Sequence, residues 1–336
     1  MTEPVAGDPL AALGALRRSY VIPDLKVLYI SVAKNACTTI KWLLSELAGE
    51  DPAQFALGTG PWVSLEEGIH MRGRWQHTPT VDRIPAALRS QISPANGWFV
   101  FGVVRDPRSR LFSAWQNKFL MRNPAYARRR DEPWYPRVPE SPQDIVEDFA
   151  RFVDVLHADP RTPVANDAHF QRQTALLAEH IVPYSRIYEM GELATMTADL
   201  QDHLRGQGWT RAVRLRQSND TPLRASAAAF AGPVRDQVES HYASDFERFG
   251  HLWDFAKLES VPVWSPEAMV GLRARIAMNE RISELRREVK RTRRRNTRAR
   301  ERNAVLERSL ARVRASNATL RATNATLRAA REPAWK

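Results

Sequence analysis

Lys34 stands at a junction between two patterns. Before it runs "KVLYISV", residues 26–32, apolar and rich in β-formers; after it comes "TTIKWLLSELA", residues 38–48, in which Ile40, Leu43, Leu44 and Leu47 share one helical face. A loop that leaves a strand and opens a helix offers unpaired backbone N–H groups and the positive end of the helix dipole, so it can bind phosphate. A lysine there adds a full charge, and Thr38 and Thr39, in the first turn, can cap the helix or donate hydroxyls to an anion. The glycines of G-x-x-x-x-G-K-[ST] are absent, which disfavours an ordinary ATPase. From this stretch alone, a lysine at an exposed turn beside a threonine cap reads equally well.

A second junction breaks the tie. "GWFVFGVV" reads as a buried strand ending at Val104, and it is followed at once by Arg105, by Asp106-Pro107, and by a helix on which Arg110 and Ser113, three residues apart, share a face. A guanidinium with a nearby hydroxyl is the chemistry of a phosphate clamp.

Two strand ends carrying such groups need a sheet to hold them side by side. Continuous apolar strands suggest a parallel sheet covered by helices. The segments "PQDIVEDFARFVDVL", "DAHFQRQTALLAEH", "GELATMTADLQDHLRGQ" and "AGPVRDQVESHYASDFERFG" read as helices, with "SRIYEM" a short strand among them. The expected fold is α/β: a three-layer, P-loop-like parallel sheet flanked by helices, with a C-terminal helical coiled coil.

The coiled coil comes from the tail. Ile282, Val289, Asn296, Asn303, Leu310, Asn317 and Asn324 recur every seven residues, interleaved with Leu285, Thr292, Ala299, Leu306, Val313, Leu320 and Leu327. This is an a/d seam, and Asn at a selects a parallel, in-register homodimer because facing amides satisfy each other. A solvated single helix is the alternative, since arginines crowd Thr292 to Ala299. The net charge of +12 also belongs there: residues 272–336 hold 20 Lys and Arg against 6 Asp and Glu. The seam lacks a bulky aromatic face, so peripheral contact of the basic tail with a membrane is a secondary reading and specific nucleic-acid binding is not expected. "VPVWSPEAMV" reads as a linker. The expected organisation is an N-terminal extension over 1–24, the catalytic domain over 25–258, the linker over 259–271 and the coiled coil over 272–331.

A chain of 336 residues that is 43% hydrophobic can bury a sizeable core. Its single cysteine, Cys37, excludes an internal disulfide framework and suits a reducing compartment; no Cys/His spacing suggests a metal. No apolar run approaches the roughly 18 residues of a membrane span. The chain reads as soluble and cytoplasmic.

With these residues in place, the sequence resembles the carbohydrate sulfotransferases of the HNK-1 and chondroitin type. "AKNACTTIKWLL" is similar to their 5′-phosphosulfate loop, and "RDPRSRLFSAWQNKF" matches their 3′-phosphate motif, R-D-P-x-x-R-x-x-S-x-[YW], at every fixed position. "DAHFQRQ", "SRIYEMGELATMTADLQ" and "HYASDFERFGH" resemble later segments, so the likeness spans about residues 25–255 and leaves the tail outside.

The resemblance implies a transferase that moves a sulfuryl group from 3′-phosphoadenosine-5′-phosphosulfate (PAPS) to a carbohydrate hydroxyl, without a metal. Lys34 would act on the sulfate-bearing end and the departing phosphate. Asn35, Ala36, Cys37, Thr38 and Thr39 would cradle the 5′-phosphate, and Arg105 and Ser113 would bind the 3′-phosphate. Arg110 reads as structural, paired with Asp106 or a helix end, and Cys37 as a packed loop residue. In-line sulfuryl transfer also needs a base. His70 and His77 in "EEGIHMRGRWQHTPT" lie where such enzymes place theirs. His77 is favoured, with Trp75 beside it to stack on a sugar and Glu66 and Glu67 as a fallback. His169 and Gln173 belong to a segment that positions the acceptor or serves as scaffold. Arg128, Arg129 and Arg130 would suit an anionic glycan. A small-molecule kinase, and a catalytically silent coiled-coil scaffold, are the competing readings.

Overall fold

The computed structural model describes residues 18–56, 65–159, 162–216 and 221–329. A four-stranded sheet lies at the centre, in the order β1 (Ser19–Ile22), β2 (Val27–Ile30), β3 (Phe99–Val104), β4 (Arg186–Glu189). β2 pairs parallel with β3, Tyr29 opposite Phe101, and β3 pairs parallel with β4, Val103 opposite Tyr188. β1 is antiparallel to β2, so the sheet is mostly rather than wholly parallel, and residues 19–22, expected in an extension, are an edge strand of it. The turn between them is only Pro23–Lys26, with Lys26 in the left-handed region, too short for any parallel crossover.

Alternation along the strands sends side chains to two faces. Tyr29, Phe101, Val103 and Tyr188 pack with Ile40, Leu43, Leu44 and Leu47 of α1 (Cys37–Leu47), and with Met196, Leu200 and Leu204 of a later helix, Leu193–Gly206. Leu28, Ile30, Val100 and Val104 pack on the opposite side with Leu176, Leu177 and Phe249. Helices therefore flank the sheet on both faces, which is why β2 and β3 are apolar without interruption.

A third cluster joins α2 (Pro107–Trp115), α3 (Pro142–Ala158) and the start of the last helix. Phe112, Trp115 and Phe149 centre it, and Trp264 stacks on Phe112 at 5.4 Å. The stretch 259–271, expected as a linker, is thus partly core: Trp264 is buried and donates its indole N–H to the Arg224 carbonyl at 2.7 Å, and the long helix already begins at Pro266, with Met269 and Leu272 buried.

Three helices differ in extent from the sequence pattern. "DAHFQRQTALLAEH" is helical only over α4 (Gln173–Leu177), because Asp167 folds its carboxylate onto the His169 backbone and holds 167–172 in turns. "AGPVRDQVESHYASDFERFG" is two helices, α6 (Val234–His241) and α7 (Ala243–Phe249), broken at Tyr242, after α5 (Leu193–Gly206). α8 (Pro266–Ala329) runs for 64 residues. The chain divides into two compact units at Glu280. Within the second unit the Leu and Val side chains of the seam, from Leu285 to Leu327, are open to solvent, Leu306 at 66% and Leu320 at 58%. Among the described residues no helix is long and apolar enough to cross a membrane.

Candidate functional site

The loop from β2 to α1 has an unusual backbone. Lys34 and Ala36 both have positive φ, 71° and 52°, a conformation that residues with a Cβ adopt at a cost. Such strain persists where surroundings impose it. Asn35, between them, is fully buried, and its amide Nδ2 donates to the Val103 carbonyl at 2.8 Å and to Gln173 Oε1 at 2.7 Å. The loop is thereby pinned to the end of β3.

Gln173 is the hub of this junction. Its Oε1 also accepts the Arg105 N–H at 3.0 Å and its Nε2 donates to the Arg105 carbonyl at 2.8 Å, so one side chain pairs with Arg105 as a strand neighbour would. Asp245 on α7 accepts the Gln173 backbone N–H at 2.9 Å and the Thr174 N–H at 2.8 Å, fixing α4. Arg105 then reaches the Lys34 carbonyl with Nη1 at 3.3 Å, joining the two strand-end loops. Burial lowers its pKa.

Arg110 closes the framework from below. It is wholly buried and spends its guanidinium on three carbonyls: Ala33 at 3.0 Å, Gln171 at 2.8 Å and Ala168 at 3.0 Å. Its role is structural, though not through Asp106, whose carboxylate caps α2 and pairs with Arg108 at 2.8 Å.

A cavity of about 830 Å³ opens above these loops, and Lys34, Ala36, Cys37, Thr38, Thr39, His70, Arg105 and Ser113 all line it. Asn35 does not; it acts from beneath as the pin just described. Eight Lys and Arg line the cavity and, among the described residues, no Asp or Glu. That is the field an anionic ligand needs.

His70 is gripped from both ends. Lys41 Nζ lies 3.0 Å from Nδ1 and Thr38 Oγ1 lies 3.0 Å from Nε2. A lysine ammonium only donates, so Nδ1 accepts and the ring proton sits on Nε2, directed at Thr38. Burial, then the Lys41, Lys118 and Lys34 charges, hold its pKa well below the ordinary histidine value, so the ring is neutral.

His77, favoured from sequence, lies outside the cavity and is exposed. Glu50 decides this: it accepts the backbone N–H groups of Gln76 and His77 at 2.9 and 2.8 Å and the Thr78 hydroxyl at 3.1 Å, and so fixes which side of the chain faces inward. Trp75 is the inward residue. It packs on Tyr20 at 4.8 Å and Phe55 at 5.2 Å and donates its indole N–H to the Ile69 carbonyl, so it is core and not a sugar platform. The side chains of Glu66 and Glu67 lie outside the described residues. Arg128, Arg129 and Arg130 do not line the cavity; Arg129 pairs with Glu132 at 3.1 Å.

Several lining residues had no sequence motif to mark them. Lys41 could have been found, since it stands three positions after Thr38 on the same helical face. Asn117 and Lys118 reach the cavity because the chain after α2 continues as a π turn over Gln116–Leu120, a rotation that no periodicity announces. Arg18 and Tyr20 arrive with the antiparallel edge strand.

Among the described residues no group of three His, Cys, Asp or Glu is placed to hold a metal ion. Comparison with curated proteins and with solved structures found no match. The description that does match is that of the Sulfotransferase family, over residues 17–251, which take in the sheet, both strand-end loops and their pins. The chain belongs to the sulfotransferase family.

Proposed function

We propose that the protein transfers a sulfuryl group from PAPS to a carbohydrate hydroxyl by in-line displacement. The observation that carries this is the convergence, on one cation-lined cavity, of the strained Lys34 loop and of Arg105 with Ser113. The N-terminus of α1 and the Lys34 ammonium suit the phosphosulfate end; a guanidinium with a hydroxyl suits the 3′-phosphate. As the acceptor oxygen bonds to sulfur, the bond from sulfur to the 5′-phosphate breaks and its electron pair stays on that phosphate. Lys34 offsets the charge that develops there, and the acceptor proton passes to a base. The cations beyond those the donor needs, Lys41 and Arg72 among them, favour an acidic sugar.

We also propose that the second unit pairs with its own copy in a parallel homodimer. Its exposed Leu and Val at seam positions, with Asn296, Asn303, Asn317 and Asn324 at a, support this. The lone free cysteine, Cys37, suits a reducing, cytoplasmic setting.

Calorimetry with adenosine 3′,5′-bisphosphate and with ATP tests the donor half. The bisphosphate should bind and ATP should bind much more weakly, because only the former carries a 3′-phosphate for Arg105 and Ser113. Equal affinities would support a kinase instead, and no binding of either a silent scaffold. Incubation with PAPS and a panel of neutral and uronate-bearing glycans, read by mass spectrometry for an added sulfate, tests the acceptor half.

A further inference from the structure

On the reading that this cavity transfers a sulfuryl group, we propose that His169 is the base that takes the acceptor's proton, held in that role by Asp167. The two form a tight unit: Asp167 Oδ1 accepts the His169 backbone N–H at 2.9 Å and lies 2.7 Å from ring Nδ1. The Tyr126 hydroxyl donates to Asp167 Oδ2 at 2.7 Å and lies 3.2 Å from the same Nδ1.

These contacts settle the tautomer. Burial raises the Asp167 pKa, but hydrogen bonds from the His169 ring, the His169 backbone N–H and the Tyr126 hydroxyl outweigh it and hold the carboxyl far below its usual range, so it is an ionised acceptor. Burial and Asp167 push the Tyr126 phenol up, so its oxygen keeps its proton. Nδ1 must therefore carry the imidazole hydrogen, and Nε2 holds the lone pair. The ring lines the same cavity as Lys34 and Thr38.

The alternative imidazole is spent. His70 uses Nδ1 to accept from Lys41 and Nε2 to donate to Thr38, which leaves no lone pair for a substrate proton. Position is fixed as well. Arg110 binds the carbonyl of Ala33, at the donor loop, and that of Ala168, next to His169, so one buried guanidinium sets the spacing between the two loops. In the reaction the acceptor O–H bond gives its proton to Nε2 as the oxygen bonds to sulfur. The imidazolium that forms is paired with Asp167, as in other Asp-held histidines.

The charges around the ring predict how it is tuned. Burial, then Lys118, lower its pKa to about 3 against the opposing Asp167, with Lys34 and His70 the further groups facing it. A bound anion at Lys34 and Lys118 removes part of that depression, so the base strengthens when donor or product is present.

Side-chain ¹⁵N NMR of the full chain tests this, with the resonance assigned from His169→Gln. At neutral pH the ring should be protonated on Nδ1 and bare on Nε2, and adding adenosine 3′,5′-bisphosphate should move its titration midpoint upward. His169→Gln should lower kcat with an accepted glycan by about 10²–10⁴ and leave bisphosphate affinity unchanged. Asp167→Asn should shift the rising limb of the pH–rate profile to lower pH, because the carboxylate no longer stabilises the imidazolium. A bisphosphate that binds while the ring carries its proton on Nε2, or while its midpoint stays put, overturns the proposal alone. So does a His169→Gln enzyme of near-normal kcat. Failure of the bisphosphate to bind overturns the donor reading and this inference with it.

Discussion

Lys34 and Arg105 touch the same cavity from two strand ends, yet their expected contributions differ. A lysine at the departing phosphate acts most where charge develops, so Lys34→Ala should lower kcat by about 10²–10³ with a modest change in bisphosphate affinity. Arg105→Ala should mainly weaken bisphosphate binding, by a charge-assisted contact of about 1.5–3 kcal/mol, as calorimetry would show. Glu50, outside the cavity, carries a pH signature. Burial raises its pKa, but the N–H groups of Gln76 and His77, with Gln54 and Thr78, bring it below the ordinary value. A depressed folded-state pKa gives stability that is present above the unfolded value and lost as pH falls through the folded one. The melting-temperature gap between wild type and Glu50→Gln should therefore be full at neutral pH and close below about pH 4.

At the scale of elements, the site depends on α4 more than on the strands it serves. Gln173 gives Arg105 both of its backbone partners and gives Asn35 one of its two, and Asp245 holds Gln173 in turn. Gln173→Ala leaves three polar groups short of a partner, the buried Asn35 amide and the half-buried Arg105 N–H and carbonyl, a loss on the order of 3 kcal/mol in denaturant unfolding. The loops on β2 and β3 should then separate, so the same variant should bind the bisphosphate less tightly although it never touches it. A Gln173→Ala protein with wild-type affinity would show that the strand ends hold their loops unaided. The π turn at Gln116–Leu120 plays a comparable part, since Gln116 exchanges two hydrogen bonds with Leu223 and Lys118 is brought to the cavity.

For the whole molecule, the boundary of the catalytic unit lies inside α8. Trp264, Met269, Leu272 and Ile276 are all at most 7% exposed and belong to the core of the first unit. Each is worth about 1.5–3 kcal/mol of burial, against a total stability of about 5–15 kcal/mol. A chain ending at Pro262 should therefore fail to give a cooperative unfolding transition. One ending at Glu280 should melt cooperatively, bind the bisphosphate and scatter light as a monomer. The full chain should scatter as a dimer at micromolar concentration; a full-length monomer, or a dimer of the shorter chain, would remove the seam from the assembly.

Sequence by itself determined the patterns that are local. The strand before Lys34, the helix after it, the Arg105 and Ser113 spacing and the seven-residue seam are all set by residue order over a few turns of chain, and the composition of β2 and β3 already required a sheet covered on both faces. Tertiary structure alone decided what depends on contacts across long stretches of chain. Glu50 turns Trp75 inward and His77 outward by holding the backbone N–H groups of Gln76 and His77, 26 and 27 residues away. Asn35 binds Gln173 across 138 residues. His70 and His169 look alike in the sequence as lone histidines between apolar neighbours, Ile69 and Met71 for one and Ala168 and Phe170 for the other. Asp167, two residues before His169, supplies the carboxylate at its Nδ1 locally, whereas only the fold brings Lys41 to the Nδ1 of His70 from 29 residues away, and that difference decides which ring keeps a lone pair.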